Sequence, residues 1–142
     1  MGTGRQSVVV RRLLLVENER HRIDELRDAF ADDGYECEVA LDFATARYIV
    51  GERLMDLAVV NSTLVEMPDE RLVGELKAAN PEMALVIYHG KATKARQRKL
   101  RRLGADSYLS KASDTISIIR AVRSLGERRG TRPSPPAAPA DR

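Results

Sequence analysis

The stretch MDLAVVNSTLVEMPDE, residues 55–70, passes from an acidic residue through four apolar ones and stops on an amide, Asn61. A short apolar run bounded by polar residues reads as a strand buried on both faces. In an open α/β sheet the residue just past such a strand faces the crevice where ligands bind. An amide there donates and accepts hydrogen bonds, but it is no nucleophile and carries no charge. The chain therefore poses one question first: what a strand end placed for chemistry does with a neutral side chain.

Working outward, the same run recurs. LLLV (13–16) reads as a buried strand, and ERHRIDELRDAFADDG as a helix with Ile23, Leu26 and Phe30 on one face and Gly34 just past its end. YECEVAL alternates like a strand nearer the sheet edge, FATARYIVGE is helical, and DLAVV is the next buried strand. DERLVGELKAAN is a helix stopped before Pro81, and ALVIY is a strand. ATKARQRKLRRLG is a helix closed by Gly104, DSYLS a strand and SDTISIIRAVRSLGE the last helix. Five strands alternating with five helices predict an α/β domain with a parallel, doubly wound sheet, because right-handed crossovers place helices on both faces.

Composition narrows the function classes. The 142 residues suffice for one domain with a core of its own. We expect residues 1–11 to be a leader, 12–128 the domain, and the proline- and alanine-rich 129–142 a disordered tail or linker. Cys37 is the only cysteine, which excludes an intrachain disulfide and predicts a reducing, cytoplasmic setting. No apolar run approaches the roughly 20 residues of a membrane span. Twenty-four basic residues against 21 acidic ones leave a net charge of +3, too small to imply nucleic acid.

The polar residues after the buried strands are Glu17 and Asn18, then Asn61, then His89 and Gly90, then Lys111. All fall at carboxyl ends, which converge on one edge of such a sheet. At this point LLLVENE, DLAVVNSTLVEMPD, ALVIYHGK and GADSYLSKA carry a resemblance over nearly all of residues 12–127. The chain resembles a receiver domain of the two-component response regulator family. The resemblance implies the flavodoxin-like strand order 2-1-3-4-5. It also implies an acidic pair after the first strand, a phosphoaccepting aspartate after the third, a threonine or serine after the fourth and a lysine after the fifth. Here Glu17 and Asn18 stand at the acidic pair, Asn61 at the phosphoacceptor, His89 at the threonine or serine, and Lys111 at the lysine. Tyr108 stands at the family's aromatic switch, and Ala112 replaces the proline that usually follows the lysine.

These departures set the chemical expectation. An aspartyl phosphate requires a carboxylate nucleophile and a Mg²⁺ ion held by oxygens. With Glu17 the only carboxylate at the matching positions, we expect Mg²⁺ binding to be lost or very weak, with no metal, cofactor or catalytic residue. Lys111 is expected to pair with Glu17 and to donate to the Asn61 carbonyl oxygen. Asn18 is read as capping the following helix, His89 as a hydrogen-bonding side chain, and Tyr108 as a strand aromatic at the domain surface. The segment KATKARQRKLRRLGA holds seven basic residues and no acidic one, with Ala95, Leu100 and Leu103 left for packing. A solvated face is the plainer reading of such a run. The sharper one takes Lys94, Arg98, Arg101 and Arg102 as a docking surface.

The expected function is a non-enzymatic, phosphorylation-independent receiver, a pseudo-receiver that signals through protein contacts. Its partner is a signalling protein with an acidic surface, or a second copy meeting it through the fourth helix, fifth strand and fifth helix, the face that the resemblance implies. Two alternatives stay open: phosphorylation at a non-standard residue, and nucleic-acid binding by the basic helix, for which no interleaved aromatics argue.

Overall fold

The computed structural model describes residues 11–89, 93–110 and 114–129, with side chains described through residue 127. The strands are β1 (Arg11–Val16), β2 (Tyr35–Ala40), β3 (Leu57–Asn61), β4 (Ala84–His89) and β5 (Ser107–Ser110). The helices are α1 (Arg20–Asp32), α2 (Phe43–Glu52), α3 (Asp69–Ala79), α4 (Lys94–Leu103) and α5 (Thr115–Arg129), with a 3₁₀ turn at Ser62–Leu64. All strand pairs are parallel, in the order β2-β1-β3-β4-β5. This is the flavodoxin-like arrangement 2-1-3-4-5.

Pleating divides the core. Leu14, Val16, Ala58, Val60, Leu85 and Ile87 face α2, α3 and α4, while Leu13, Leu15, Leu57, Val59 and Val86 face α1 and α5. Such strands must be apolar on both faces, which is why LLLV, DLAVV and ALVIY carry no alternation. β2 at the edge is only half covered and alternates accordingly. Gly34 (φ 93°) and Gly104 (φ 124°) end α1 and α4 in backbone geometry that L side chains rarely adopt.

Two readings shift. β1 begins at Arg11, two residues before the apolar run, because its first residues pair with Tyr35 and Glu36 of β2. In α4 only Leu100 is buried; Leu103 is 47% exposed and Ala95 lies on the outside. The expected three-residue packing stripe is thus a single anchor, with Tyr108 rather than α4 filling much of that side of the core.

Candidate functional site

Parallel winding brings the ends of β1, β3 and β4 to one edge, where Glu17 and Asn61 are both buried. Glu17 Oε2 accepts the backbone N–H groups of Asn18 and Glu19, each at 2.9 Å. Its Oε1 accepts the Asn61 side-chain amide at 3.2 Å and the Tyr88 hydroxyl. Four hydrogen bonds occupy the roughly four lone-pair positions of a carboxylate. Asn61 Oδ1 in turn accepts from the Thr63 backbone N–H (3.1 Å) and from its hydroxyl (2.6 Å), capping the 3₁₀ turn. The amide suits this place because one end donates to a carboxylate while the other accepts from an N–H. An aspartate could do only the second.

Tyr88 was not visible as a site residue in the sequence, where it reads as the last apolar position of ALVIY. Its ring belongs to the core beside α1 and α5, and only the hydroxyl reaches the edge. Burial, then the hydrogen bond to Glu17 and its charge, push the phenol well above its usual range, with nearby Arg22 opposing. The Arg22 guanidinium lies 5.5 Å from the Tyr88 ring centroid. Its Nη1 is buried with no hydrogen-bond partner among the described residues.

Asn18 is exposed and does not cap α1. Glu19 does, accepting from the backbone N–H of His21 (3.1 Å) and Arg22 (2.9 Å). A carboxylate at that end is favoured by the helix dipole, and Asn18 precedes the capping position by one residue. Lys111 lies outside the described residues. The Asn61 oxygen expected to face it takes its described bonds from Thr63.

A second cluster lies beside the first. Buried Asp69, at the start of α3, accepts the Tyr108 hydroxyl at 2.6 Å. Its Oδ2 stands 3.6 Å from Arg96 Nη2 and 3.7 Å from His89 Nδ1. His89 Nδ1 also meets Ser62 Oγ at 2.6 Å, and its ring stacks on that of Tyr108 with centroids 6.4 Å apart. Tyr108 is only 2% exposed, against the expectation of a surface aromatic. The pleat of β5 turns it toward α4, and Asp69 satisfies its hydroxyl. Burial, followed by the hydrogen bond to Asp69, raises its phenol to about 12.

Arg96 and Lys99 turn inward from the basic run to hold Glu70, at 3.2 and 3.0 Å. The Arg96 hydrogen bond is the main reason that the Glu70 carboxyl falls to about 2. Their spacing was the available signal: Arg96 lies one turn from Leu100 and so shares its inward side. Lys94, Arg98, Arg101 and Arg102 are exposed. None stands within ion-pairing distance of a carboxylate among the described residues. An open groove of about 610 Å³ lies beside this second cluster, lined by Ser62, Val65, Met67, Pro68, His89 and Arg96 among others. Ser62, His89 and Asp69 form no nucleophilic relay, since both partners sit on Nδ1 of the same ring and Ser62 is buried.

A five-stranded doubly wound sheet with polar strand ends gathered on one edge defines a class, and the comparisons with known proteins place the chain within it. The family model described as response regulator receiver domain matches residues 13–123, and the chain belongs to that family. The photosynthetic apparatus regulatory protein RegA of Rhodobacter capsulatus is 31% identical over 129 residues, covering 91% of this chain and 68% of that protein. Among solved structures, a CheY-like receiver domain protein from Methanospirillum hungatei JF-1 matches with a TM-score of 0.74 at 19% identity, over 87% of this chain and 98% of that one. A Burkholderia pseudomallei response regulator with a phosphorylated aspartic acid, a calcium ion and citrate matches at TM-score 0.65 and 20% identity, over 87% and 75%. At these identities the structural matches speak for the fold. No helix among the described residues is long and apolar enough to cross a membrane.

Proposed function

We propose that this receiver domain signals without an aspartyl phosphate, as a non-enzymatic module that docks a protein partner through the outer face of α4. The observation that carries the reading is the Glu17 carboxylate, whose four acceptor positions are taken by Asn61, Tyr88 and two backbone N–H groups. Mg²⁺ demands oxygen ligands in near-octahedral array. Here Glu17, the one carboxylate at the described strand ends, is occupied and the Asn61 oxygen is engaged by Thr63, so the described residues do not fit the ion. Asn61 itself offers no nucleophile. Partner contact falls to α4, where Lys94, Arg98, Arg101 and Arg102 form a ridge at spacings of three and four, suited to an acidic protein surface.

Incubation with acetyl phosphate and millimolar Mg²⁺, followed by intact mass measurement, tests the chemistry. The expected result is an unmodified chain. Addition of one phosphoryl group to any residue would overturn the proposal.

A further inference from the structure

Five large hydrophobic side chains are exposed among the described residues, and three of them, Leu41 (59%), Tyr48 (66%) and Leu54 (76%), lie on α2 and its two flanks. α2 buries Phe43, Ala46, Ile49 and Val50. Ala44, Tyr48 and Gly51, at spacings of four and three, occupy the opposite side and are all exposed. Together with Leu41 and Leu54 they make an exposed apolar ridge on the side of α2 opposite its buried residues, with α3 lying between α2 and α4. Gly51 adds an independent observation. A glycine inside a helix weakens it relative to alanine, yet a Cβ at Gly51 would meet nothing within 4 Å. Gly51 is the next-to-last residue of α2, and its bare surface leaves room for another backbone to approach.

We propose that this ridge is a docking surface for a second copy of the same chain, with the two α2 helices antiparallel about a two-fold axis between Arg47 and Tyr48. The sequence LDFATARYIVGERL, residues 41–54, is self-complementary in that arrangement. Leu41 meets Leu54 of the other copy, Ala44 meets Gly51, and Asp42 meets Arg53. Each contact occurs twice, as an isologous interface requires. Tyr48 lies beside the other copy's Arg47, whose guanidinium is held by Glu75 at 2.8 Å and rests 5.1 Å from the Phe43 ring centroid. Arg53 donates one bond to Glu38 (2.8 Å) and keeps further N–H donors for Asp42. Leucine meets leucine at the ends, small residues meet where the helices pass closest, and opposite charges meet beside the leucines. A parallel pairing would instead set Asp42 against Asp42 and Arg53 against Arg53. One helix pair buries less surface than most stable interfaces, so the association is weak and concentration-dependent.

The test uses the full chain. Sedimentation equilibrium over roughly 10 μM to 1 mM should show the average mass of wild type rising toward twice the monomer. Tyr48→Glu and Gly51→Arg chains, checked as folded by circular dichroism, should stay monomeric. The chain with Lys94, Arg98, Arg101 and Arg102 all changed to glutamate should associate like wild type, which separates this surface from the α4 face. Register is read by cross-linking in a Cys37→Ser background. A mixture of Leu41→Cys chains and Leu54→Cys chains, oxidised with diamide, should give a disulfide-linked heterodimer as its main product, and either chain alone little product. A monomeric wild type throughout the range would overturn the proposal. So would association lost with the α4 substitutions, or Leu41→Cys chains that cross-link alone as readily as in the mixture.

Discussion

Replacing Asn61 by aspartate perturbs the site at its most constrained atom. The Asn61 amide nitrogen donates to Glu17 Oε1 across 3.2 Å, and both residues are buried. Because Thr63 holds the other end of the side chain, the introduced carboxylate must present an oxygen where the donor stood. Two full charges at that separation repel by about 5 kcal/mol at an effective dielectric of 20. Keeping a proton on the introduced group instead costs about 1.4 kcal/mol per pH unit above its ordinary value near 4, or about 4 kcal/mol at pH 7. The smaller figure governs, so Asn61→Asp is expected to destabilise the domain by about 4 kcal/mol at pH 7. The sign follows from linkage. The introduced carboxyl titrates higher in the folded chain than in the unfolded one, so the folded variant binds more protons and the loss grows as pH rises above about 4. Below that value the variant and wild type converge. Urea unfolding of both proteins at pH 4.5 and 7.5, with and without millimolar Mg²⁺, measures this directly. Equal losses at the two pH values would refute the reasoning. So would recovery of stability by Mg²⁺ together with rapid labelling by acetyl phosphate, for Glu17 would then be free to bind metal.

Tyr108→Phe removes the hydroxyl bonded to buried Asp69 and should cost about 1.5–3 kcal/mol, the range for a hydrogen bond to a charged group, by urea unfolding. Tyr108 titrates higher folded, near 12, than its ordinary 10, so its contribution is complete below pH 10 and fades as pH rises through 12. The wild-type advantage over Tyr108→Phe should fade in that window. Leu100→Ala removes the single buried side chain of α4 and should cost about 2–5 kcal/mol, with hydrogen exchange in α4 accelerating first. The quadruple glutamate chain at Lys94, Arg98, Arg101 and Arg102 should keep its fold but lose retention on immobilised poly-glutamate, and wild type should elute as salt rises from about 50 to 300 mM.

The strands were legible because burial on both faces leaves no room for polar residues, so LLLV, DLAVV and ALVIY announce themselves. Parallel, right-handed winding followed from the alternation with helices, whereas the strand order 2-1-3-4-5 was legible only through the resemblance to receiver domains. The strand ends were legible as places, since topology alone brings Glu17, Asn61 and His89 to one edge. What those residues do there was not. Tyr88 counts as apolar in any periodicity reading, yet its hydroxyl is half the reason Glu17 Oε1 is satisfied. Asp69 reads as an ordinary acidic residue in the first turn of a helix, and only the fold shows that the Tyr108 hydroxyl finds it. The basic run looked uniform, but Arg96 and Lys99 belong to Glu70, while Lys94, Arg98, Arg101 and Arg102 do not. Asn18 is the better capping type by preference, and Glu19 caps because the chain enters α1 one residue later.

The fully engaged carboxylate of Glu17 also orders the mutational steps open to this domain. Asn18 sits on the exposed rim, so a charge there is nearly free. A charge at position 61 is not, while Tyr88 and two backbone N–H groups keep the neighbouring acid engaged. The Tyr88 hydroxyl must go first, to open an acceptor position where a cation could offset the second charge. A folded domain has a margin of about 5–15 kcal/mol, and the reverse order removes a large part of it at once. Among the described residues, the path toward a carboxylate-rich edge therefore passes through the core of β4 before it reaches the end of β3, and the residue that gates it is a fully buried tyrosine.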